Sequence, residues 1–436
     1  MMDPAGNLKQ LTMQNQAHEG TAAIVQQGAS PDSLEGRRFL LLQGPSSRFF
    51  LHLGFALRAR GGDVSKVGFC PGERIFWNGR AGRYLSYRGR AEAFGAWFRE
   101  TAVSLGVTDV IMLGDGRTPH AAAIEEITTH RMNVRIWIVE HGYLRPDLIL
   151  IEPDGMGGAS TIPARFLAAG NIAQVGTLPR WKGSFRRYAA MDVTYHASNL
   201  ALSWLTYPHY RSHSGIHPIR EYSGWILKSV LSSARQRSRC EALKRVAAHD
   251  GPLFLFPLQL SHDVQLFKSG TGEPQEEILD RVVTSFLGNA SLNAALVVKT
   301  HPLDNGLTDW RARVEPAGSR VIYLDGGDLN GLLARADGVV TVNSTVGLTA
   351  LQAGCSTHVL GRSVYRSAGL TDQQPLDEFW NDPQAPDAER VDAFCDFLRS
   401  CFHVPGTFDG PGAIAGAKAL AGWLAAPPPY AVTDAI

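Results

Sequence analysis

Short apolar runs, each followed by a polar or glycine-bearing loop and then a helical pattern, recur along the chain from Arg38 onward. Phe39-Leu-Leu-Leu42 leads into Gln43-Gly-Pro45 and a helix expected from about Arg48 to Arg60, closed by Gly61-Gly62. Val110-Ile-Met-Leu113 leads into Gly114-Asp-Gly116 and a helix reaching about His130, and residues 135–139 lead into Glu140-His-Gly-Tyr143. Such alternation predicts a doubly wound domain of parallel strands with crossover helices. A second series repeats the unit. Residues 252–256 run into Pro257-Leu-Gln259 and Asp263, residues 294–299 into Thr300-His-Pro302, residues 321–324 into Asp325-Gly-Gly327, and residues 338–342 into Asn343-Ser-Thr345.

Between the two series, residues 177–247 are mostly helical and aromatic in pattern. The expectation is an α/β protein of two Rossmann-like domains facing across a cleft, a GT-B-like architecture. The boundaries follow as a disordered segment at 1–35, a first domain with its helical crossover at 36–247, and a second domain at 248–436. Ligands of open α/β sheets lie beyond the carboxyl ends of the strands, where the polar loops fall. No repeat of 20–50 residues is visible, which excludes solenoids and propellers. Neither GxxxxGK[ST] nor a strand-linked GxGxxG occurs, so an ATPase and an ordinary NAD enzyme both lose ground.

Charge narrows the class. The 436 residues hold 42 Lys+Arg against 41 Asp+Glu, a net charge of +1, whereas a generic nucleic-acid binder needs a basic excess. No partnership with nucleic acid is expected. Five scattered cysteines without a CxxC encode neither a disulfide framework nor a zinc site, and suit a reducing compartment. No apolar run approaches the length that spans a bilayer, so the chain is expected to be soluble or peripheral. The first 35 residues lack the charged start and apolar core of a signal peptide. Local charge is less even: residues 180–239 carry ten Lys or Arg against two acids, interleaved with Trp and Tyr. That combination suits an anionic membrane surface, with Arg186, Arg187, Arg235 and Arg237 as its basic face, although a solvated basic face over a helical core explains it too.

Candidate chemistry gathers at strand ends. Ser344 or Thr345 begins a helix after a buried strand, so free N–H groups, the positive helix end and two hydroxyls form an anion site, although ordinary capping explains them equally well. Gly347 is small enough to let a ligand approach the backbone. Lys299 and His301 emerge at the same sheet edge and can add charge and a donor to a phosphate oxygen. No acidic metal-binding pair lies beside them, so no cofactor and no metal is expected. Glu140 on one wall and Asp263 on the other can divide the roles of acid/base and of nucleophile or cation stabiliser, with His141 orienting Glu140 or moving the proton itself, although each carboxylate alone is more often a loop hydrogen-bond acceptor.

At these residues the chain resembles the capsule polysaccharide biosynthesis family of KpsS and KpsC, the KpsS branch in particular. The matching stretches are Leu42-Gln-Gly-Pro45, Glu140-His-Gly-Tyr-Leu-Arg-Pro-Asp147, Phe256-Pro-Leu-Gln259 with Asp263 and Gln265, His301-Pro302, and Asn343-Ser-Thr-Val-Gly-Leu-Thr-Ala-Leu351 through Val359-Leu-Gly361 to Ala368-Gly-Leu-Thr371. The resemblance implies a retaining β-Kdo transferase. It would move Kdo from CMP-Kdo onto a phosphatidylglycerol-type lipid acceptor and so begin the linker for capsular polysaccharide. His301, Ser344 and Thr345 would then meet the CMP phosphate, with Gln259, Lys299 and Gly347 in the same donor site. Asp263 matches the acid proposed as nucleophile. Glu140 matches the first acid of an acidic-acidic-Gly motif whose second position is here His141. Gln43, Gly44, Pro45 and Arg145 would face the acceptor in the cleft.

The expected partners are CMP-Kdo, a phospholipid or glycolipid acceptor, an anionic membrane surface and other capsule biosynthesis or export proteins. The expected location is cytoplasmic, peripheral on the inner face of the bacterial inner membrane. The rival readings are a transferase of another CMP-activated ulosonic acid, and a non-catalytic capsule assembly or export accessory.

Overall fold

A computed structural model describes residues 33–431, apart from 171–175, 177, 212–217, 262 and 429. The first half starts with β1 (Arg38–Leu41), α1 (Phe49–Arg58), β2 (Asp63–Gly68), α2 (Pro71–Trp77) and β3 (Arg83–Ser86). It continues through α3 (Phe94–Leu105), β4 (Asp109–Leu113), α4 (Thr118–Thr129), β5 (Arg135–His141), β6 (Leu148–Pro153) and α5 (Ile162–Ala168). Three helices cross over: α6 (Phe185–Thr206), α7 (Pro218–Val230) and α8 (Ser232–Ala247). The second half then runs β7 (Leu253–Pro257), α9 (Val264–Lys268), α10 (Gln275–Asn289), β8 (Ala295–Lys299), α11 (Trp310–Val314) and β9 (Val321–Leu324). After α12 (Leu329–Leu333), β10 (Gly338–Thr341), α13 (Thr345–Gln352) and β11 (Ser356–Val359), the chain ends in α14 (Leu376–Phe379), α15 (Ala388–Cys401), β12 (His403–Pro405) and α16 (Gly412–Ala425).

Two sheets form, of strand order β12-β6-β5-β4-β1-β2-β3 and β11-β10-β7-β8-β9. The second is parallel throughout. β4, β7 and β8 are buried at every position, as strands covered by helices on both faces must be. Each large apolar side chain so buried contributes about 1.5–3 kcal/mol, which makes the strand ends rigid mounts for loops. α10 shows how a cover helix is specified: Ile278, Leu279, Val282 and Phe286 recur at helical spacing on the buried face, and Glu276 and Glu277 sit in the first turn against the helix dipole. The architecture is the expected GT-B-like pair of Rossmann-like units across a cleft.

The structure corrects the expected boundaries in three places. Residues 1–32 of the segment expected to be disordered lie outside the described residues, but Leu34 is already buried and its N–H bonds Arg60 O at 2.7 Å. α8, assigned from sequence to the 36–247 domain, packs on β9 and buries Ala242 and Val246 with Leu253 and Leu255 of the second sheet. Nor does the second domain hold all of 248–436. β12 pairs antiparallel with β6, α16 packs on α1, and Phe394, Phe397 and Leu420 join the first core. The return covers the first sheet where β6, antiparallel to β5, would otherwise be an unpaired edge.

Candidate functional site

Glu140 and His141 end β5, and Asp263 follows β7 at the carboxyl end of the other sheet. The fold brings them together: all three line a cavity of about 460 Å3, with Gly44 and Pro45 of the loop after β1. Gln43 stays buried behind that loop, its Nε2 3.4 Å from Tyr195 Oη. Gly44 N–H donates to Glu73 Oε1 (3.3 Å), and Arg117 Nη1 donates to Gly44 O (3.3 Å). Glu73 is itself buried against Lys66 Nζ at 2.6 Å. The loop is thus fixed before any ligand arrives.

Asp263 is the N-cap of the short α9, its Oδ1 accepting from Gln265 N–H at 2.9 Å. Glu140 Oε1 accepts the N–H of His141 at 2.9 Å, and the His141 ring stands edge-on to Phe408, 4.8 Å between centroids. His141 keeps an open side toward the cleft, yet the protein packed around it lowers its pKa; Arg145 adds to the effect while Glu140 and Asp409 oppose it. A neutral imidazole beside two carboxylates can accept a proton from a hydroxyl near pH 7. Among the described residues, no three His, Cys, Asp or Glu side chains are grouped to hold a metal ion.

The other expected donor residues follow the neighbouring strands of the second sheet and do not line this cavity, although Asn343 Nδ2, one residue before Ser344, donates to Gln265 O of α9 at 2.8 Å. Ser344 caps α13, its Oγ accepting from Val346 N–H at 3.2 Å. Thr345 is the first residue of the helix. His301 Nδ1 accepts from Leu303 N–H at 3.0 Å, which leaves the neutral ring's proton on Nε2 as a donor. Burial, then Lys299 and Arg145, bring its pKa down to about 4. Arg145 thus acts on both His301 and His141, tying the two sheet edges electrostatically. Lys299 is buried, its pKa lowered by burial and by Arg239, so it supplies field rather than an exposed contact. Gln259 exchanges hydrogen bonds with Asn343 (2.8 and 3.3 Å) and therefore braces the loop ahead of Ser344.

Gly347 needs a correction. A Cβ there would lie 2.3 Å from Tyr365 Oη, so the glycine admits Tyr365, which bonds Ser344 O, rather than a ligand.

Arg235 pairs with Asp325 beside β9, so its charge is already partnered within the protein. Arg186, Arg187 and Arg237 are exposed. The crossover also reaches into the site. Gly224 of α7 packs so closely on the loop after His301 that an added Cβ would meet Asn305 O at 2.6 Å. Trp225 lines the cavity, Lys228 lies 5.0 Å above its ring, and Lys228 Nζ donates to Asp304 O at 2.5 Å. Among the described residues, no helix is long and apolar enough to cross a membrane.

Sequence reasoning missed four contributors: Asp192, His196, Arg117 and Asp409 line the same cavity. Asp192 and His196 sit one turn apart on α6, 3.6 Å between Oδ1 and Nε2, a spacing visible in the sequence, where Asp192 counted only as one of two acids in a basic stretch. Asp409 arrives with the C-terminal return and leaves no local signal.

A family model described as capsule polysaccharide biosynthesis protein matches residues 108–408. The chain is 30% identical over 390 residues to the capsule polysaccharide modification protein LipB of Neisseria meningitidis, covering 85% of this chain and 91% of that one. It is 27% identical to the capsule polysaccharide export protein KpsS of Escherichia coli, covering 84% and 95%. A solved structure of Thermosulfurimonas dismutans KpsC, a beta Kdo 2,7 transferase, superposes with a TM-score of 0.43 at 14% identity, over 88% of this chain and 98% of that one. With the family model spanning most of the folded chain, this protein belongs to the capsule polysaccharide biosynthesis family.

Proposed function

We propose that this protein is a glycosyltransferase that moves Kdo from CMP-Kdo to a phosphatidylglycerol-type lipid acceptor with retention, beginning the linker of a capsular polysaccharide at the inner face of the membrane. The observation that carries the reading is the meeting of Glu140 and His141 with Asp263 in one cavity. Membership of the capsule family supports the pathway. In this reading the Asp263 carboxylate bonds to the anomeric carbon as the bond to CMP breaks, and the leaving phosphate takes the electron pair. His301 Nε2–H and the start of α13 receive that phosphate, with no divalent cation. The acceptor hydroxyl then attacks the same carbon, gives its proton to neutral His141 and releases Asp263. Glu140 holds the His141 backbone and offsets the imidazolium formed.

Mass spectrometry of a short-chain phosphatidylglycerol incubated with CMP-Kdo tests this directly. One added Kdo, absent with Asp263→Ala, is the expected result. No transfer by the wild type would end the reading. Transfer that persists in Asp263→Ala would remove Asp263 as nucleophile.

A further inference from the structure

A second cavity, of about 490 Å3, adjoins the first, and Gly116 and Arg117 line both. Its walls come from the loop between β3 and α3, the start of α4 and the turn after α6. Arg88, Arg90, Arg117 and Arg211 face it against the single acid Glu92. None of the four arginines has an ion-pair partner among the described residues. Guanidinium groups gathered around one concavity repel each other unless an anion joins them, and their forked donors match phosphate oxygens. The positive N-terminal end of α4, whose N-cap is Arg117, has the same preference.

The walls are held in place. Tyr87 Oη donates to Arg90 O at 2.5 Å, and its ring packs on Phe94 with centroids 5.0 Å apart. Tyr207 Oη donates to Ser86 Oγ at 3.1 Å, fastening the far wall to β3. That far wall follows directly from the last turn of α6, where Trp204 is 75% and Leu205 66% exposed. Neither lines the cavity, but arginines inside it and large exposed apolar side chains on the helical turn just before its wall suit a phosphate that carries a hydrocarbon better than a free one.

We propose that this cavity binds the headgroup phosphate of an anionic phospholipid. Arg88, Arg90 and Arg211 hold the phosphodiester, and the acyl chains leave past Trp204 and Leu205. Arg117, in the shared wall, passes the headgroup hydroxyl toward Glu140, His141 and Asp263. The assignment rests on the lipid-acceptor reading above and locates its acceptor site in a cavity that His301 and Ser344, which would hold the donor, do not line.

Calorimetry on the full chain, without donor, tests it with monomeric dihexanoyl-phosphatidylglycerol, dihexanoyl-phosphatidylcholine and inorganic phosphate. The wild type should bind the anionic lipid more tightly than either comparison. The triple variant Arg88→Ser/Arg90→Ser/Arg211→Ser should lose at least tenfold of that affinity with CMP binding intact. Ala91→Trp, which fills the cavity without touching its charge, should do the same. Undiminished lipid binding in both variants overturns the site, and inorganic phosphate binding as tightly as the lipid makes it a free-anion site and overturns the lipid assignment. The two readings fail separately. Lipid binding that needs the arginines without any Kdo transfer would sink the transferase and leave this site standing. Transfer with an unchanged lipid KM in the triple variant would sink this site alone.

Discussion

Lys268 Nζ lies 2.6 Å from Asp115 Oδ2, joining the loop after β4 to the end of α9 and so the first sheet to the second. Gln265 Nε2 donates to Asp115 Oδ1 at 3.1 Å, and Asp115 is buried. Neither Lys268 nor Asp115 lines the cavity that holds Asp263, but their chain neighbours Gly114, Gly116, Val264 and Gln265 do. Asp115→Asn leaves the lysine charge without its partner and should cost about 1–2 kcal/mol, the lysine being partly hydrated. Urea unfolding should show that loss, with a rise in KM for both substrates as the halves separate; an unchanged midpoint would mean that the pair is incidental.

Gly116, next in sequence, meets Val264 so closely that an added Cβ would lie 2.1 Å from Val264 Cγ1. Gly116→Ala should therefore overpack the contact at a cost of about 1–3 kcal/mol and displace Asp263. Activity should fall at least tenfold and return largely in Gly116→Ala/Val264→Ala. Failure of the second substitution to restore it would locate the damage elsewhere.

Donor binding should not need a divalent cation. CMP should bind in EDTA, and His301→Ala should weaken it at least tenfold, about 1.4 kcal/mol for a lost donor. Gly347→Ala should lower the melting temperature by displacing Tyr365, with a smaller effect on CMP. Equal CMP affinity in wild type and His301→Ala would empty the proposed phosphate site.

Stability should fall on both sides of neutrality. His403 is buried, donating through Nδ1 to Leu398 O and accepting from Tyr143 N–H at Nε2, and burial brings its pKa down to about 4, as with His301. A base whose folded pKa is depressed stabilises above its unfolded value of about 6.5 and loses that as pH falls toward 4, here by up to about 3 kcal/mol for His403. Glu152 runs the other way. Burial pushes its carboxyl up to about 8 despite bonds from Tyr143 and Ser160, so stability declines as pH rises from about 4.5 toward 8. Urea midpoints from pH 4 to 9 should trace both limbs, and Glu152→Gln should flatten the alkaline one. A flat profile would contradict both assignments.

Membrane docking divides the basic residues. Arg186→Ser/Arg187→Ser/Arg237→Ser should reduce sedimentation with phosphatidylglycerol vesicles, at about 1 kcal/mol for each charge that faces the surface. Arg235→Ser should instead lower stability, because it breaks the pair with Asp325. Unchanged sedimentation in the triple variant would remove the basic face from the picture.

β1, β4, β5 and β7 to β10 were legible in the sequence because each is a short apolar run with a polar loop at its carboxyl end, whereas β2, β3, β11 and β12 are short or carry polar residues such as Lys66, Arg83 and His358 and gave no such run. A strand buried on both faces admits little else. For the same reason Glu140, His141, Asp263, His301 and Ser344 could be named, since strand ends and helix starts are local features. The sequence alone also carried the excess of charge in residues 180–239, but not its destination.

Only the tertiary structure decided which strand ends meet. It joined Asp263 to Glu140 and His141 in one cavity whose lining does not include His301 or Ser344, paired Arg235 with Asp325, and filled the space beside Gly347 with Tyr365. It also folded residues 388–425 back onto the first sheet, because the β6 edge and the face under α1 needed covering and the chain had apolar helices left to cover them. Asp409 reached the cavity by that return, and Asp192 and His196 by the packing of α6 on α2. Contacts between residues hundreds of positions apart depend on how packed layers stack, and local patterning holds no record of it.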